Sequence, residues 1–140
     1  MTTHTCTYRV IYGDTDQMGV VYYANYFRMF ELGRCEFMRA AGLDYAGVER
    51  SGTLVPVIEA NCRYRLPARF QDELEIETTL QELGRVRFTF VYRILRRDAD
   101  GAQQLLVEGM TQHACMRQDG RPTRIPGPLR EALEAPVQEH

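Results

Sequence analysis

The stretch Asn25-Tyr26-Phe27-Arg28-Met29-Phe30-Glu31-Leu32-Gly33-Arg34-Cys35-Glu36-Phe37-Met38-Arg39-Ala40-Ala41-Gly42 decides the fold. It predicts one helix from about Asn25 to Ala41, with Asn25 as the N-cap and Gly42 as the stop. Its charges Arg28, Glu31 and Arg34 recur every three residues, with Glu36 and Arg39 further on. Nearly everything else in it is apolar, an arc wider than a surface helix needs. The helix is therefore expected to be covered over most of its girth. Glu31 and Arg34 could be a plain i,i+3 surface pair, but on such a covered helix the expectation is a buried ion pair.

Outside this helix the hydrophobic period is two. Cys6, Tyr8, Val10 and Tyr12 share one face of a first strand within residues 5–13, with Thr7, Arg9 and Ile11 on the other. Residues 43–53 read as a loop with a short helical turn. Then Ile58, Ala60, Cys62, Tyr64 and Leu66 alternate with polar residues. So do Leu74, Ile76, Thr78 and Leu80, and so do Val86, Phe88, Phe90, Tyr92 and Ile94. A fourth run covers residues 103–117, and a short C-terminal helix starts near Pro128. Pro67 bends the chain between two runs, and Asp98-Ala99-Asp100-Gly101 and Asp119-Gly120 mark turns. Short connections imply antiparallel neighbours. The sheet's apolar face needs a cover, and the wide apolar helix is the one available. The fold class is therefore α+β, a curved antiparallel sheet wrapped around one long central helix.

The 140 residues suit a single domain over 1–140. An apolar fraction of 44% and a charged fraction of 26% are those of a soluble globular protein. A net charge of −2 gives no global field for nucleic acid or membrane. All 17 basic residues are arginine, so a Schiff-base lysine mechanism is excluded and any phosphate site must use arginine. Cys6, Cys35, Cys62 and Cys115 form no Cys-x-x-Cys pair and lie outside zinc-ligand spacing with the histidines. They read as reduced thiols of a cytoplasmic protein. The N-terminus has neither the basic start nor the apolar run of a signal peptide, and no apolar run is long enough to span a membrane.

The residues before the helix carry the chemistry: Tyr12-Gly13-Asp14-Thr15-Asp16-Gln17-Met18-Gly19-Val20-Val21-Tyr22-Tyr23-Ala24. They set two carboxylates and a glycine directly ahead of a helix N-terminus. Such a terminus offers unpaired N–H groups and a partial positive charge. It can polarise a carbonyl oxygen while a nearby carboxylate attacks or activates water. That is a machine for hydrolysing an activated ester without metal or cofactor. Asp14 reads as structural, accepting backbone N–H bonds that hold the loop. Gly19 permits a tight backbone turn or close substrate approach.

Gly13-Asp14-Thr15-Asp16, Gly19-Val20-Val21-Tyr22-Tyr23 and Asn25-Tyr26 carry a resemblance to the hotdog-fold acyl-CoA thioesterases of the 4-hydroxybenzoyl-CoA thioesterase type. Pro56-Val57-Ile58, Pro67-Ala68-Arg69, Asp72 and the run from Gly120 to Pro126 continue it. The chain is also similar to the related Tol-Pal-associated enzymes. Those carry histidine where this chain has Tyr23, which moves the resemblance towards the 4-hydroxybenzoyl-CoA type.

The resemblance implies that Asp16 is the catalytic carboxylate and that Tyr23 presents its N–H to the thioester oxygen. It implies that Gly19, Tyr22, Asn25 and Tyr26 shape the pocket. Arg85, Arg87 and Arg124 would bind the phosphates of coenzyme A, which is part of the substrate and not a cofactor. Subunits would pair into one continuous sheet with active sites at the seam, as a homodimer or homotetramer. Glu59 and Asn61 would line the pocket from the partner or else form a solvated strand face. Arg85 and Arg87 could equally be solvated charges protecting a sheet edge. His113 reads as a hydrogen-bonded sheet residue. Alternative readings of the same fold are an acyl-carrier-protein thioesterase and a non-catalytic acyl-CoA sensor.

Overall fold

The computed structural model describes residues 2–43 and 45–135. The remaining positions of the expected 1–140 domain, including Asp44 within the predicted 43–53 loop, lie outside the described residues. In chain order the elements are β1 (Thr3–Arg9), α1 (Asn25–Ala40), α2 (Tyr45–Arg50), β2 (Val57–Tyr64), β3 (Glu73–Leu83), β4 (Arg87–Arg97), β5 (Gln103–Ala114) and α3 (Gly127–Glu134). The strands form one five-stranded sheet in the order β1-β3-β4-β5-β2, every pair antiparallel.

The inward faces of β3 and β4 are those the alternation predicts. Leu74, Ile76, Thr78 and Leu80 are buried on β3, and Phe88, Phe90, Tyr92 and Ile94 on β4. The central helix α1 lies across this face. Phe30 stacks on Tyr92 with ring centroids 4.3 Å apart and planes 5° apart, and Phe37 meets Phe90 edge-on at 5.1 Å. Close approach depends on two glycines. A Cβ on Gly33 would strike Thr78 Oγ1, and one on Gly109 of β5 would stand 2.5 Å from both a Phe30 ring carbon and the Asn61 carbonyl oxygen. The helix stops where expected. Gly42 has φ +86°, its N–H bonds to Arg39 O at 3.0 Å, and Leu43 N–H bonds to Met38 O at 2.9 Å.

Four expectations need correction. First, β2 and β3 are joined by a short connection but are not neighbours, since β2 lies on the far edge beside β5. Residues 65–72 cross the end of the sheet instead, because their backbone finds partners there. Arg65 and Leu66 donate to Leu106 O, and Arg96 donates to Pro67 O. Second, Tyr12 is not on a core face. The first strand ends at Arg9, and a single 3₁₀ turn over Tyr12–Asp14 leaves Tyr12 77% exposed beside Phe70.

Third, α1 is buried on one face only within the chain. Five strands cover Tyr26, Met29, Phe30, Gly33, Phe37 and Met38, while Phe27, Arg28, Glu31 and Arg39 remain exposed. Fourth, Glu31 and Arg34 are not a buried pair. Glu31 is exposed, and Arg34 points to the core, its Nη1 3.5 Å from Tyr92 Oη. That contact begins a chain of polar groups under the helix. Tyr92 Oη lies 2.5 Å from Thr111 Oγ1, which lies 2.8 Å from His113 Nε2. His113 is thus the hydrogen-bonded sheet residue expected.

Two stability predictions follow from this core. Gly109→Ala should cost about 1–3 kcal/mol by overpacking against Phe30, read as a lowered urea midpoint. Burial first, and Arg34 second, push the His113 imidazole from its ordinary 6.5 down to about 4. Between these pH values the unfolded chain takes up a proton that the folded chain refuses. The stabilisation is therefore full above pH 6.5, fades as pH falls, and is gone near pH 4, about 3 kcal/mol in all. His113→Gln should flatten this fall, and parallel stability-against-pH curves for the two proteins would refute it.

Candidate active site

The loop ahead of α1 is organised by one buried carboxylate. Asp14 is 4% exposed. Its Oδ2 accepts the Tyr8 hydroxyl at 2.7 Å and the Ile11 N–H at 3.0 Å. Its carbonyl oxygen accepts the Tyr22 N–H at 2.8 Å and the Asn25 side-chain amide at 2.9 Å. Asp14 therefore has the structural role that its position suggested, and it ties β1, the loop and the helix start together. The Tyr8 hydroxyl is pushed up to about 12, by burial first and then by Asp14.

Asp16 begins a tight turn. Its Oδ1 accepts the Met18 N–H at 2.8 Å, its N–H donates to Val20 O at 2.9 Å, and its carbonyl accepts the Gly19 N–H at 3.0 Å. Gly19 has φ +79°, which accounts for glycine there. The second carboxylate oxygen of Asp16 has no partner among the described residues. Val21 N–H bonds to Ala68 O at 2.8 Å, and Ala68 N–H bonds to the buried Tyr26 hydroxyl at 3.3 Å. The crossover of residues 65–72 is thus stitched to the loop, and through Tyr26 to the helix.

The start of α1 differs from the expected N-cap. Asn25 is the first helical residue, and Ala24 precedes it in helical conformation with no side-chain cap. The Asn25 side chain is committed to Asp14, so it cannot cap the helix. The N–H groups of Tyr23 and Ala24 have no backbone acceptor among the described residues, while Tyr23 O accepts the Tyr64 hydroxyl at 3.1 Å. The helix start therefore keeps open donors of the kind that receive a developing oxyanion.

Asp16, Val20, Tyr23, Tyr26, Tyr64 and Pro67 border one cleft of about 290 Å³. Gly19 and Tyr22 adjoin it along the chain, and the Tyr22 ring packs 4.8 Å from that of Tyr23. Tyr64 and the Pro67 turn carried no chemical signal in the sequence; the pairing of β2 with β5 brings the first here, and the crossover the second. The other expected residues lie elsewhere within this chain. Glu59 and Asn61 are exposed on β2 and, by alternation, on the face opposite Tyr64. Arg85, Arg87 and Arg124 are exposed together, with Ile125 N–H bonded to Arg85 O at 2.9 Å. They sit at the sheet end where His113 pairs with Phe88 on one side and Val57 on the other, whereas Tyr64 pairs with Val107 at the other end. The chain itself does not join them to Asp16. Among the described residues, no three His, Cys, Asp or Glu side chains converge on a metal-sized site, and no helix is long and apolar enough to cross a membrane.

The profile of the thioesterase-like superfamily matches residues 10–133. The chain is 35% identical over 126 residues to a protein of Aquifex aeolicus (strain VF5), covering 90% of this chain and 94% of that one. It is 33% identical over 134 residues to a 1,4-dihydroxy-2-naphthoyl-CoA hydrolase of Synechococcus elongatus, covering 90% and 89%. Its fold matches the 4-hydroxybenzoyl-CoA thioesterase of Pseudomonas sp. strain CBS-3 with a TM-score of 0.83 at 25% identity, covering 94% and 99%.

The buried carboxylate supplies a direct test of how the loop is held. Asp14→Ala strands the Tyr8 hydroxyl and the Ile11 N–H, and should cost about 2–3 kcal/mol of unfolding free energy. Denaturant titration checks it, and an unchanged midpoint would contradict the assigned role.

Proposed function

The chain belongs to the thioesterase-like superfamily, with the hotdog fold, and is a thioester hydrolase. From that premise we propose that Asp16 and the open start of α1 cleave acyl-CoA thioesters to free acid and CoA. The observation that carries the reading is the meeting of Asp16 and Tyr23 in one cleft: a carboxylate oxygen without a partner, and at the entry to the helix an N–H without an acceptor among the described residues.

The thioester oxygen lies against the Tyr23 N–H, where the helix dipole stabilises the negative charge that develops as the carbonyl carbon becomes tetrahedral. Asp16 attacks that carbon itself, or takes a proton from a water that does. In either case the C–S bond breaks and CoA leaves as the thiolate, which is protonated from solvent. If Asp16 is the nucleophile, water then opens the mixed anhydride. Gly19, Tyr22, Asn25 and Tyr26 shape the cleft around the acyl group.

A second copy completes the site. β2 is an edge strand with Val57, Ile58 and Tyr64 exposed at 46%, 44% and 45%. Such an apolar edge invites pairing. A two-fold axis at the middle of β2 sets two such strands antiparallel and continues the sheet. It also carries Arg85, Arg87 and Arg124 of the second copy towards the Asp16 end of the first, where guanidinium groups receive the phosphates of CoA. The exposed flank of α1, with Phe27, faces the same seam.

Asp16→Asn keeps the turn's acceptor but removes the attacking charge. Thiol release from acyl-CoA should fall by about 10²–10⁴-fold in kcat, with the oligomer and the melting temperature retained. A folded Asp16→Asn protein with full turnover would overturn the mechanism.

A further inference from the structure

A second cavity, of about 330 Å³, lies between the C-terminal half of α1, α2 and the inner face of the sheet. Met38, Leu43, Val48, Val55 and Phe88 make its walls apolar. Arg34 and His113 stand in the same lining. They are the two ends of the polar chain under the helix. A guanidinium can only donate, so Arg34 donates to Tyr92 Oη. Tyr92 can then donate to Thr111, and Thr111 to His113 Nε2. Tyr92 Oη is the acceptor this chain offers Arg34, and the remaining guanidinium N–H groups find none among the described residues.

The one contact of Arg34 is long, at 3.5 Å. Among the described residues it has no ion pair and no other hydrogen bond. Glu31 and Glu49 also border the cavity, and both are exposed at its rim. A half-buried guanidinium with spare donors in an apolar wall is complementary to an oxygen acceptor entering along that wall.

The cavity is out of reach of the Asp16 cleft in its own chain. Tyr23 and Arg34 are separated by roughly 16 Å of helix. The two spaces also lie at opposite ends of β2, with Val57 lining one and Tyr64 the other, about 24 Å apart along the strand. The two-fold pairing proposed above sets Tyr64 of one copy across from Val57 of the other. That brings the cleft of each copy against the cavity of its neighbour.

We infer that Arg34 selects the acyl group across the seam, favouring short acyl thioesters whose far end carries an oxygen acceptor, a carbonyl or a carboxylate. The inference rests on the thioesterase reading and adds to it a substrate class and a specificity-determining residue on the opposite subunit.

The test compares hexanoyl-CoA with its ketone and carboxylate counterparts, 5-oxohexanoyl-CoA and adipoyl-CoA, by thiol release. Wild-type kcat/KM should favour at least one oxygenated acyl group by about tenfold, the order expected of one charge-assisted hydrogen bond. In Arg34→Met the ratio should fall to about one. Arg34→Lys, which keeps the charge, should retain part of any adipoyl preference and guards against a folding defect in the first variant. Mixed dimers, co-expressed from differently tagged Asp16→Asn and Arg34→Met chains, should recover the wild-type ratio. Their one active site pairs an intact Asp16 with an intact Arg34 from the other chain. Equal turnover of all three thioesters by the wild type, or an unaltered ratio in Arg34→Met, overturns the selectivity. A lost ratio that mixed dimers do not recover overturns the placement across the seam. No release from these three thioesters, with release from benzoyl-CoA or palmitoyl-CoA, overturns this inference alone, whereas no release from any of the five overturns the acyl-CoA thioesterase reading and this inference with it.

Discussion

The close approach of one helix to one sheet governs the rest of this molecule. At Gly33 the α1 backbone comes so near β3 that a methyl group would meet Thr78, and at Gly109 the β5 backbone leaves room for the Phe30 ring. With those two positions vacant, Phe30 lies flat on Tyr92 and the helix sits in the sheet's inner face. A rigid body so wedged has little freedom to slide or rotate. Its N-terminus is therefore delivered to a fixed place, beside the turn that carries Asp16. On the proposed mechanism, the preorganisation that oxyanion stabilisation requires begins in this packing.

The second constraint is the burial of Asp14. A carboxylate this enclosed is costly unless its lone pairs are used. Here Tyr8, Ile11, Tyr22 and Asn25 all bond to the residue, through its side chain or its carbonyl. The same bonds explain why the helix start lacks a cap. Asn25 is spent on Asp14, and Ala24 has no side-chain acceptor to offer. The N–H groups of Asn25, Tyr26 and Phe27 bond back to Tyr22, Tyr23 and Ala24 instead, and those without an acceptor among the described residues are Tyr23 and Ala24, just ahead of the helix.

How much of this was legible in the sequence follows the range of the forces involved. The alternation of Leu74 to Leu80 and of Phe88 to Ile94 reports burial directly, so those strands and their inner faces are as read. The Gly42 stop is equally local, since one residue's left-handed φ and two adjacent hydrogen bonds suffice. Asp14 was readable as a loop-holding residue because its acceptors serve donors a few positions away. Asn25 misled because its side chain answers to Asp14 rather than to its own helix. The crossover after β2 was hidden because residues 65–72 take their partners from Leu106, Arg96 and Val21, which no local pattern announces. Of the cleft, Asp16 and Tyr23 stand in the motif, whereas Tyr64 enters only through the pairing of β2 with β5. The arc of α1 was read as a covered surface, yet one flank stays open within the chain. The pattern records what a surface needs buried, not which molecule buries it.

That open flank and the bare edge of β2 argue together. Within one chain the carboxylate and the open N–H groups lie at one end of the sheet. The exposed arginines and the cavity beside Arg34 lie at the other. No motion of a packed helix on a hydrogen-bonded sheet can bring those ends together, because they are fixed by the antiparallel register of β2, β4 and β5. A symmetry operation can. The antiparallel pairing about β2 proposed above would reverse the strand and exchange its ends, so that every group missing at one end would be supplied by its own counterpart. The same operation pairs the unsatisfied backbone edge and covers Val57, Ile58, Tyr64 and Phe27, which a solitary chain leaves in water. An isologous interface of this kind needs only one surface to be right, because that surface meets itself. On the proposed pairing the exposed edge would be half of a site, and its apolar residues would mark an interface as the alternation on β3 and β4 marks a core.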